Sequence, residues 1–298
     1  MSIKVDQVTK FYGKQKALDA VSFEIPDGQI TGLLGPNGAG KSSLMKIITG
    51  YLSPTNGEVY IDQLSISNNK LKAQQKIGYL PELNPLYDEM YVREYLAFQC
   101  SIRQLPKSRI NEVIKITKLE KEAHKKIEQL SKGYKQRVGF AAAIIHQPKV
   151  LILDEPTSGF DPKQLVEIRE LIKNISESTT VLLSTHIMQE VELLCERVLI
   201  INQGKLVADK MLNEFNQSKQ QIIEVEFDYR VEKVALEALP YVEEVTNPKG
   251  FVYQISFSTD LDMRSKVFDL AHDIGLKIMS LNKINQSLEN YFLELIES

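Results

Sequence analysis

The sequence predicts an α/β domain that carries a helical insertion, followed by a smaller α+β domain. Short apolar runs such as Ile30–Leu34 and Val150–Leu153 have the length of strands that are buried on both faces, and helical patterns follow them. The polar segment 213–220 interrupts the apolar pattern, which restarts after it. We therefore expect two domains, 1–212 and 221–298, joined by a linker at 213–220.

In the first domain, β-like runs alternate with turns and then with helices. Strands are predicted at Ile3–Val8, Val21–Ile25, Ile30–Leu34, Glu58–Ile61, Ile77–Leu80, Val150–Leu153, Val181–Ser184, Val198–Asn202 and Lys205–Ala208. Helices are predicted at Ser43–Thr49, Pro162–Ile175 and Ile187–Glu196. From about 85 to 145 the pattern is helical, at Tyr91–Leu119 and Phe140–Ile145, so this segment is the predicted insertion.

In the second domain, apolar and polar residues alternate again, as in Ile223, Val225 and Phe227. Helical patterns at about 231–239 and 263–274 separate the predicted strands, and the last strand is predicted at Lys277–Leu281. The order β-α-β-β-α-β suggests a ferredoxin-like domain. A capped amphipathic helix is predicted at the end of the chain. No catalytic motif is evident in this domain.

Composition narrows the class of protein. The chain has 298 residues with 43% apolar residues and a net charge of −3, which does not favour a nucleic-acid partner. Two cysteines, Cys100 and Cys195, are too few for a disulfide framework and suggest a reducing cytoplasm. No apolar run approaches the about 20 residues of a membrane span, and the N-terminus lacks a signal-peptide core. We expect a soluble protein whose membrane role, if any, depends on a partner.

A phosphate-binding loop is predicted between a strand and a helix. The segment Gly35–Ser42 reads G-x-x-x-x-G-K-S, follows the apolar strand Ile30–Leu34 and opens a helix. Its glycines allow backbone N–H groups to face phosphate oxygens, and the helix N-terminus adds partial positive charge. In this motif Lys41 reaches the β- and γ-phosphates and the hydroxyl of Ser42 binds Mg²⁺.

Acidic residues and a histidine follow two other predicted strands. Asp154 and Glu155 end the strand Val150–Leu153, where Asp154 suits a Mg²⁺ ligand and Glu155 suits a base for an attacking water. His186 follows the strand Val181–Ser184 closely and suits a donor to the γ-phosphate. These residue types together predict a nucleoside-triphosphate hydrolase, with Lys41, Glu155 and His186 as its catalytic residues.

These motifs, in this order, resemble those of the ATP-binding-cassette (ABC) ATPases over about residues 1–212. The matching positions are the adenine-stacking Tyr12; the Walker A residues Gly35, Pro36, Asn37, Gly38, Ala39, Gly40, Lys41, Ser42 and Ser43; the Walker B pair Asp154 and Glu155; the D-loop residues Ser158, Gly159 and Asp161; and the switch histidine His186. The resemblance implies a P-loop NTPase fold with a RecA-like core, an antiparallel β subdomain and a helical insertion. It also implies ATP and Mg²⁺ as cofactors.

The segment Leu130–Gln136 resembles the signature motif of the family, with Ser131, Lys132, Gly133 and Tyr134 inside it. Without the family, a serine and a glycine before a helix would fit a plain N-cap. In ABC ATPases, this serine and glycine contact the γ-phosphate of ATP held by a second cassette. The resemblance therefore implies a homodimer, or a paired cassette, around two ATP molecules. Lys132 and Tyr134 replace the usual glycine and glutamine, and we expect the half-site to remain functional.

A further departure from the family pattern is Glu82, which stands where the family normally has a Mg²⁺-sensing glutamine. An additional carboxylate near Asp154 and Glu155 raises a carboxylate pKa or tightens Mg²⁺ binding. We expect that Glu82 binds Mg²⁺ through an oxygen, as glutamine does. The predicted metal ligands are thus Ser42, Glu82 and Asp154.

The segment Gly78–Leu96 resembles the ATP-binding subunit of gliding-motility ABC transporters, and the ending Ser287–Glu294 resembles exporters with separate permease subunits (the ABC-2 type). This implies a cytoplasmic subunit, peripheral on the inner face of the bacterial plasma membrane, that contacts a permease through Leu83–Glu94. Two alternatives remain: a cassette ATPase acting on nucleic acid or ribosomes, and a cassette of iron–sulfur cluster assembly. The chain has one cassette, no long coiled coil and a negative net charge, which argue against a nucleic-acid or ribosomal role. The domain 221–298 fits poorly with iron–sulfur cluster assembly.

Overall fold

The computed structural model describes residues 1–157, 160–217, 221–259, 261–284 and 288–297, and the chain divides into two units, Met1–Lys210 and Met211–Ser298. Strands of the first unit are β1 (Ile3–Tyr12), β2 (Gln15–Ile25), β3 (Ile30–Leu34), β4 (Asn56–Ile61), β5 (Leu64–Ser65), β6 (Ile77–Leu80), β7 (Val150–Asp154), β8 (Thr180–Ser184), β9 (Arg197–Asn202) and β10 (Lys205–Met211). Its helices are α1 (Lys41–Ile48), α2 (Lys70–Gln74), α3 (Val92–Ile102), α4 (Ser108–Ile116), α5 (Lys132–Ile144), α6 (Pro162–Ser176) and α7 (Met188–Leu194).

Two sheets form the first unit. The six-stranded sheet has the order β10-β9-β3-β8-β7-β6, and its strands β9, β3, β8, β7 and β6 run parallel. The four-stranded sheet, β2-β1-β4-β5, is antiparallel. One apolar cluster includes residues from both sheets and from α1, such as Val5, Leu44 and Ile152. The predicted α/β core and antiparallel β subdomain are therefore confirmed.

The predicted helical insertion is present as α3, α4 and α5. The sequence predicts one helical stretch over Tyr91–Leu119, but the structure interrupts it between Ile102 and Ser108. Pro106 disfavours a helical conformation at the residue before it, and Gln104 has a positive φ of 54°. The short elements β5 and α2 were not predicted, since neither is long enough to show periodicity.

The second unit contains the elements α8 (Leu212–Gln217), β11 (Gln221–Phe227), α9 (Lys233–Glu237), β12 (Val242–Lys249), β13 (Val252–Phe257), α10 (Arg264–Asp273), β14 (Ile278–Ile284) and α11 (Leu288–Glu297). Its sheet has the order β12-β13-β11-β14. From β11 to β14 the element order is the predicted β-α-β-β-α-β. Helix α8 occupies most of the segment predicted as a linker, which contains no glycine or proline to end a helix. No helix in the described parts of the chain is long and apolar enough to cross a bilayer.

Candidate nucleotide-binding site

The loop from Gly35 to Gly40 joins the buried strand β3 to helix α1, as the sequence predicts. Gly40 lies directly before the helix with a φ of 110°, and a Cβ atom there would lie 2.8 Å from the carbonyl oxygen of Ala17. Only glycine fits this position without strain, because L side chains avoid such a φ and the backbone is close. The loop thus leads without a break into the N-terminus of α1, and a glycine-rich loop before a helix N-terminus suits a phosphate.

Lys41 begins α1 and its side chain folds back over the loop. Its Nζ donates to the carbonyl oxygens of Gly35, at 2.5 Å, and Pro36, at 3.1 Å. Burial lowers the pKa of Lys41, while the carboxylates of Glu155, Asp154 and Glu82 act in the opposite direction. The ammonium group thus lies in the field of three carboxylates, and a triphosphate would supply it with stronger acceptors than two carbonyl groups.

The carboxyl ends of β7 and β8 bring the predicted catalytic side chains together. His186 Nδ1 lies 2.9 Å from Glu155 Oε1, and the second oxygen of Glu155, which is buried, has no hydrogen-bond partner among the described residues. The backbone of Glu155 has a φ of 50°, which is unusual for a residue with a side chain. Ligands bind at the carboxyl ends of parallel strands in α/β sheets, and this is where the strand order places these residues.

Four further predicted residues lie at the edge of this site. The Tyr12 hydroxyl is 3.3 Å from the Ser43 hydroxyl, and Lys10 Nζ lies 5.6 Å from the centre of the Tyr12 ring. Tyr12 is 47% exposed, so its ring is available to a flat ligand. Ser42 is exposed in the first turn of α1, and Glu82 follows β6, exposed but close enough to act on the pKa of Lys41.

The predicted signature residues lie at the start of α5. Ser131 is the N-cap, and its hydroxyl accepts a hydrogen bond from the Tyr134 N–H at 3.4 Å. Ser131 and Lys132 are exposed, whereas Gly133 is buried against Gln164 and Phe160. Gln164 belongs to the first turn of α6, where its N–H donates to the Asp161 carboxylate at 2.9 Å. The signature start and the D-loop residue Asp161 are thus neighbours, while Ser158 and Gly159 lie outside the described residues.

Two polar residues that contact this machinery were not predicted. Ser184, at the end of β8, bonds to both Asp154 and the backbone of Glu155. Asn84 donates to the carbonyl oxygen of Lys135 at 2.8 Å and fills a notch in α5 that Gly139 leaves open. No motif marks either residue, because both contacts depend on which elements are neighbours in space.

A groove of about 1100 Å³ lies beside the site, within the first unit. The residues that line it come from the segment after Glu82, from the insertion and from the core, and include Leu83, Tyr87, Tyr95, Arg103 and His146. Leu83 is 85% exposed and Tyr87 is 55% exposed. The ring of Tyr87 lies 6.0 Å from that of Tyr95, centre to centre. Exposed apolar side chains around a concave surface are typical of an interaction site.

A phosphate loop, an acidic pair and a histidine at the ends of parallel strands define a P-loop nucleotide hydrolase. Comparison with known proteins specifies the family. The sequence pattern of the ABC transporter family matches residues 18–158. The bacitracin transport ATP-binding protein BcrA of Bacillus licheniformis is 32% identical, over 99% of this chain and 97% of its own. The linearmycin resistance ATP-binding protein LnrL of Bacillus subtilis is 34% identical, over 98% and 97% of the two chains.

Comparison with solved structures supports the same family. The dimeric cassette MJ0796 of a bacterial ABC transporter has a TM-score of 0.65 and 29% identity, and the match covers 70% of this chain and 98% of that one. A dimeric post-hydrolysis state of the same cassette, bound to ADP and Pi, has a TM-score of 0.63 and 30% identity, over 70% and 98% of the two chains. The chain belongs to the ATP-binding subunits of ABC transporters, and it is an ATP-binding ATPase of that family.

Proposed function

We propose that this chain binds ATP with Mg²⁺ and hydrolyses it as one half of a homodimer that drives the permease of an exporter. The observation that carries this proposal is the meeting of Lys41, Glu155 and His186 at one edge of the parallel sheet. Each of these side chains follows a different strand, so their proximity is a property of the fold and not of one local motif.

The residues at the site suit Mg²⁺ bound together with a triphosphate. No group of three or more His, Cys, Asp or Glu residues in the described parts of the chain is arranged to hold a metal alone. Mg²⁺ in ATP sites usually takes only one or two protein carboxylates and completes its shell with phosphate oxygens and water. We propose Ser42, Asp154 and Glu82 as its oxygen ligands. When bound, Mg²⁺ neutralises charge that develops on the phosphates.

In the proposed reaction, Glu155 is the general base. His186 holds one of its oxygens, at 2.9 Å from Nδ1. The other oxygen is buried and has no partner among the described residues, so it retains an acceptor that a water molecule bound with the nucleotide would use. The second ring nitrogen of His186 remains for the γ-phosphate, and Lys41 would exchange its loop carbonyls for phosphate oxygens. Adenine would stack on Tyr12, and Gly35–Ser43 would hold the phosphates.

A second copy would complete each site. Ser131 and Lys132 are exposed at the N-terminus of α5, and the N-terminus of a helix attracts an anion. We propose that Ser131 and Gly133 bind the γ-phosphate held by the partner. Tyr134 contacts the guanidinium of Arg137, 6.0 Å from its ring centre, and thereby supports the same helix. Asp161, with Ser158 and Gly159, would act as the D-loop of this interface.

The groove beside Leu83–Glu94 is the proposed contact for a permease, which would place the chain in the cytoplasm on the inner face of the plasma membrane. Relatives named for bacitracin transport and linearmycin resistance support export of antibiotic-like molecules. The link to gliding motility stays a prediction, since the names of these relatives concern antibiotics. If the groove contacts a permease, Leu83→Asp with Tyr87→Asp reduces the fraction of the chain that sediments with membranes. Leu193→Asp, at a 50% exposed position on α7 that does not line the groove, is the control and leaves that fraction unchanged.

Binding and hydrolysis measured separately test the proposed reaction. Glu155→Gln should bind a fluorescent ATP analogue with Mg²⁺ as tightly as the wild-type chain and lose at least about 100-fold in turnover, because only the base is removed. Glu170→Gln, an exposed glutamate on α6, is the matched control and should keep both properties. Turnover of Glu155→Gln within threefold of wild type would exclude Glu155 as the base.

A further inference from the structure

Ser184 occupies the position between the two acidic residues of the site. Its hydroxyl donates to Asp154 Oδ1 at 2.5 Å and accepts a hydrogen bond from the N–H of Glu155 at 3.3 Å. The same N–H also donates to the Ser184 carbonyl oxygen at 3.1 Å. Ser184 has no exposed surface, so water does not compete for these bonds.

The sheet places Ser184 there. In the parallel register of β7 and β8, Ser184 is the partner of Asp154, and in that of β3 and β8 it is the partner of Leu33. Ser184 is therefore level with the last residues of both neighbouring strands, next to the start of the phosphate loop after β3 and to the acidic pair at the end of β7. His186 follows two residues later and bonds to the Glu155 carboxylate.

The two contacts of the hydroxyl have different consequences. The bond to Asp154 occupies one carboxylate oxygen, fixes the rotamer of the side chain and leaves the other oxygen for a cation. The bond from the Glu155 N–H helps to hold the backbone of that residue at a φ of 50°, a conformation that costs free energy for a residue with a Cβ atom. That backbone conformation determines where the Glu155 carboxylate lies.

We propose that Ser184 is a positioning residue for ATP hydrolysis, whose hydroxyl sets the separation of the Mg²⁺ ligand Asp154 and the base Glu155. This inference rests on the proposed function of those two residues. Ser184 does not touch the reacting atoms, and it acts through both carboxylates at once. An apolar residue of similar size would leave Asp154 Oδ1 without its donor and remove one of the two acceptors of the Glu155 N–H.

The test compares Ser184→Ala and Ser184→Thr with Thr180→Ala. Thr180 is the matched control: it lies at the other end of β8, is buried, and its hydroxyl bonds to Ser2 and to the N–H of Gly28, both at 2.9 Å. Both alanine variants therefore lose a buried hydroxyl from the same strand, but only one loses it at the site. Measurements are the thermal unfolding midpoint, kcat and KM for ATP, and the Mg²⁺ concentration needed for half-maximal binding of a fluorescent ATP analogue.

We expect Ser184→Ala to unfold near the temperature of Thr180→Ala, with kcat at least about tenfold lower and KM within about threefold of wild type. Its half-maximal Mg²⁺ concentration should rise at least about threefold, and Ser184→Thr should recover most of kcat. Equal kcat and equal Mg²⁺ dependence in Ser184→Ala and Thr180→Ala would overturn the proposal. The Mg²⁺ dependence of binding tests Ser184 even in a chain without turnover, so a failure of the proposed hydrolysis is distinguishable from a failure of this inference.

Discussion

Among the described residues, the buried side-chain atoms that lack a hydrogen-bond partner all belong to the first of the two units. In the second unit, the amide of Gln221 bonds to backbone groups of Thr259, Leu261 and Met263, and the hydroxyl of Tyr253 bonds to both backbone groups of Val231. In the first unit, Glu155 Oε2 and Thr157 Oγ1 are buried without a partner among the described residues. Buried polar groups with all their hydrogen bonds made stabilise a fold, whereas unsatisfied ones that follow a strand end indicate a site.

The largest expected effect concerns the loop that holds the phosphates. Gly40→Ala combines a φ of 110° with overlap against the Ala17 carbonyl, so we expect nucleotide affinity to fall on the order of 100-fold. Gly38→Ala is the matched control, because Gly38 also has a positive φ but a Cβ atom there meets nothing within 4 Å. Titration with a fluorescent ATP analogue measures both. Equal losses in the two variants would show that the close contact at Gly40 is unimportant.

The next effect tests the packing of Asn84 against the signature helix α5. Gly139→Ala places a methyl group in the notch that Asn84 fills, and we expect it to lower the free energy of unfolding by about 2–3 kcal/mol. Asn84→Ala alone should cost about 1 kcal/mol through its lost bond to Lys135. The double variant should be more stable than Gly139→Ala, because the smaller side chain vacates the notch. Additive effects in urea unfolding would contradict this packing.

In the second unit, removal of a buried, hydrogen-bonded hydroxyl should lower the free energy of unfolding without changing ATP turnover. Tyr253→Phe leaves the N–H and carbonyl of Val231 without their partner in a buried position, which costs about 1–2 kcal/mol. We expect ATP turnover to remain within twofold of wild type. Tyr229→Phe, at a 69% exposed position, is the control for stability. A large loss of turnover in Tyr253→Phe would connect the second unit to the chemistry.

The smallest effect is a dependence of stability on pH at His146. Burial and the nearby Arg103 lower the pKa of His146 to about 4, while its Nε2 lies 3.0 Å from the Ile77 carbonyl oxygen. The folded state thus disfavours the proton, which the unfolded chain binds below about pH 6.5. The free energy of unfolding should therefore decrease as the pH falls. The expected decrease is about 1 kcal/mol between pH 8 and pH 6, and it continues towards pH 4. His146→Gln keeps a donor and should flatten this part of the curve.

The sequence predicted those residues of the site that local motifs mark. Gly35–Ser43, Asp154 and His186 each stand beside a strand that apolar composition identifies, and the parallel sheet then brings the strand ends together. Ser184 and Asn84 were missed because their roles depend on the neighbours β7 and α5, which a single chain read in order does not specify. The periodic pattern also did not predict the break between α3 and α4 or the helix in the expected linker, since short elements carry few apolar positions.

The central claim is that two copies of the chain share each ATP site, and light scattering after size exclusion tests it most directly. Glu155→Gln with ATP and Mg²⁺ should have twice the chain mass of 33.9 kDa, and without ATP it should have the mass of one chain. Adding Ser131→Arg, which obstructs the exposed start of α5, should abolish the dimer while ATP binding remains. A chain of single mass at saturating ATP, or a dimer that Ser131→Arg leaves intact, would contradict the account.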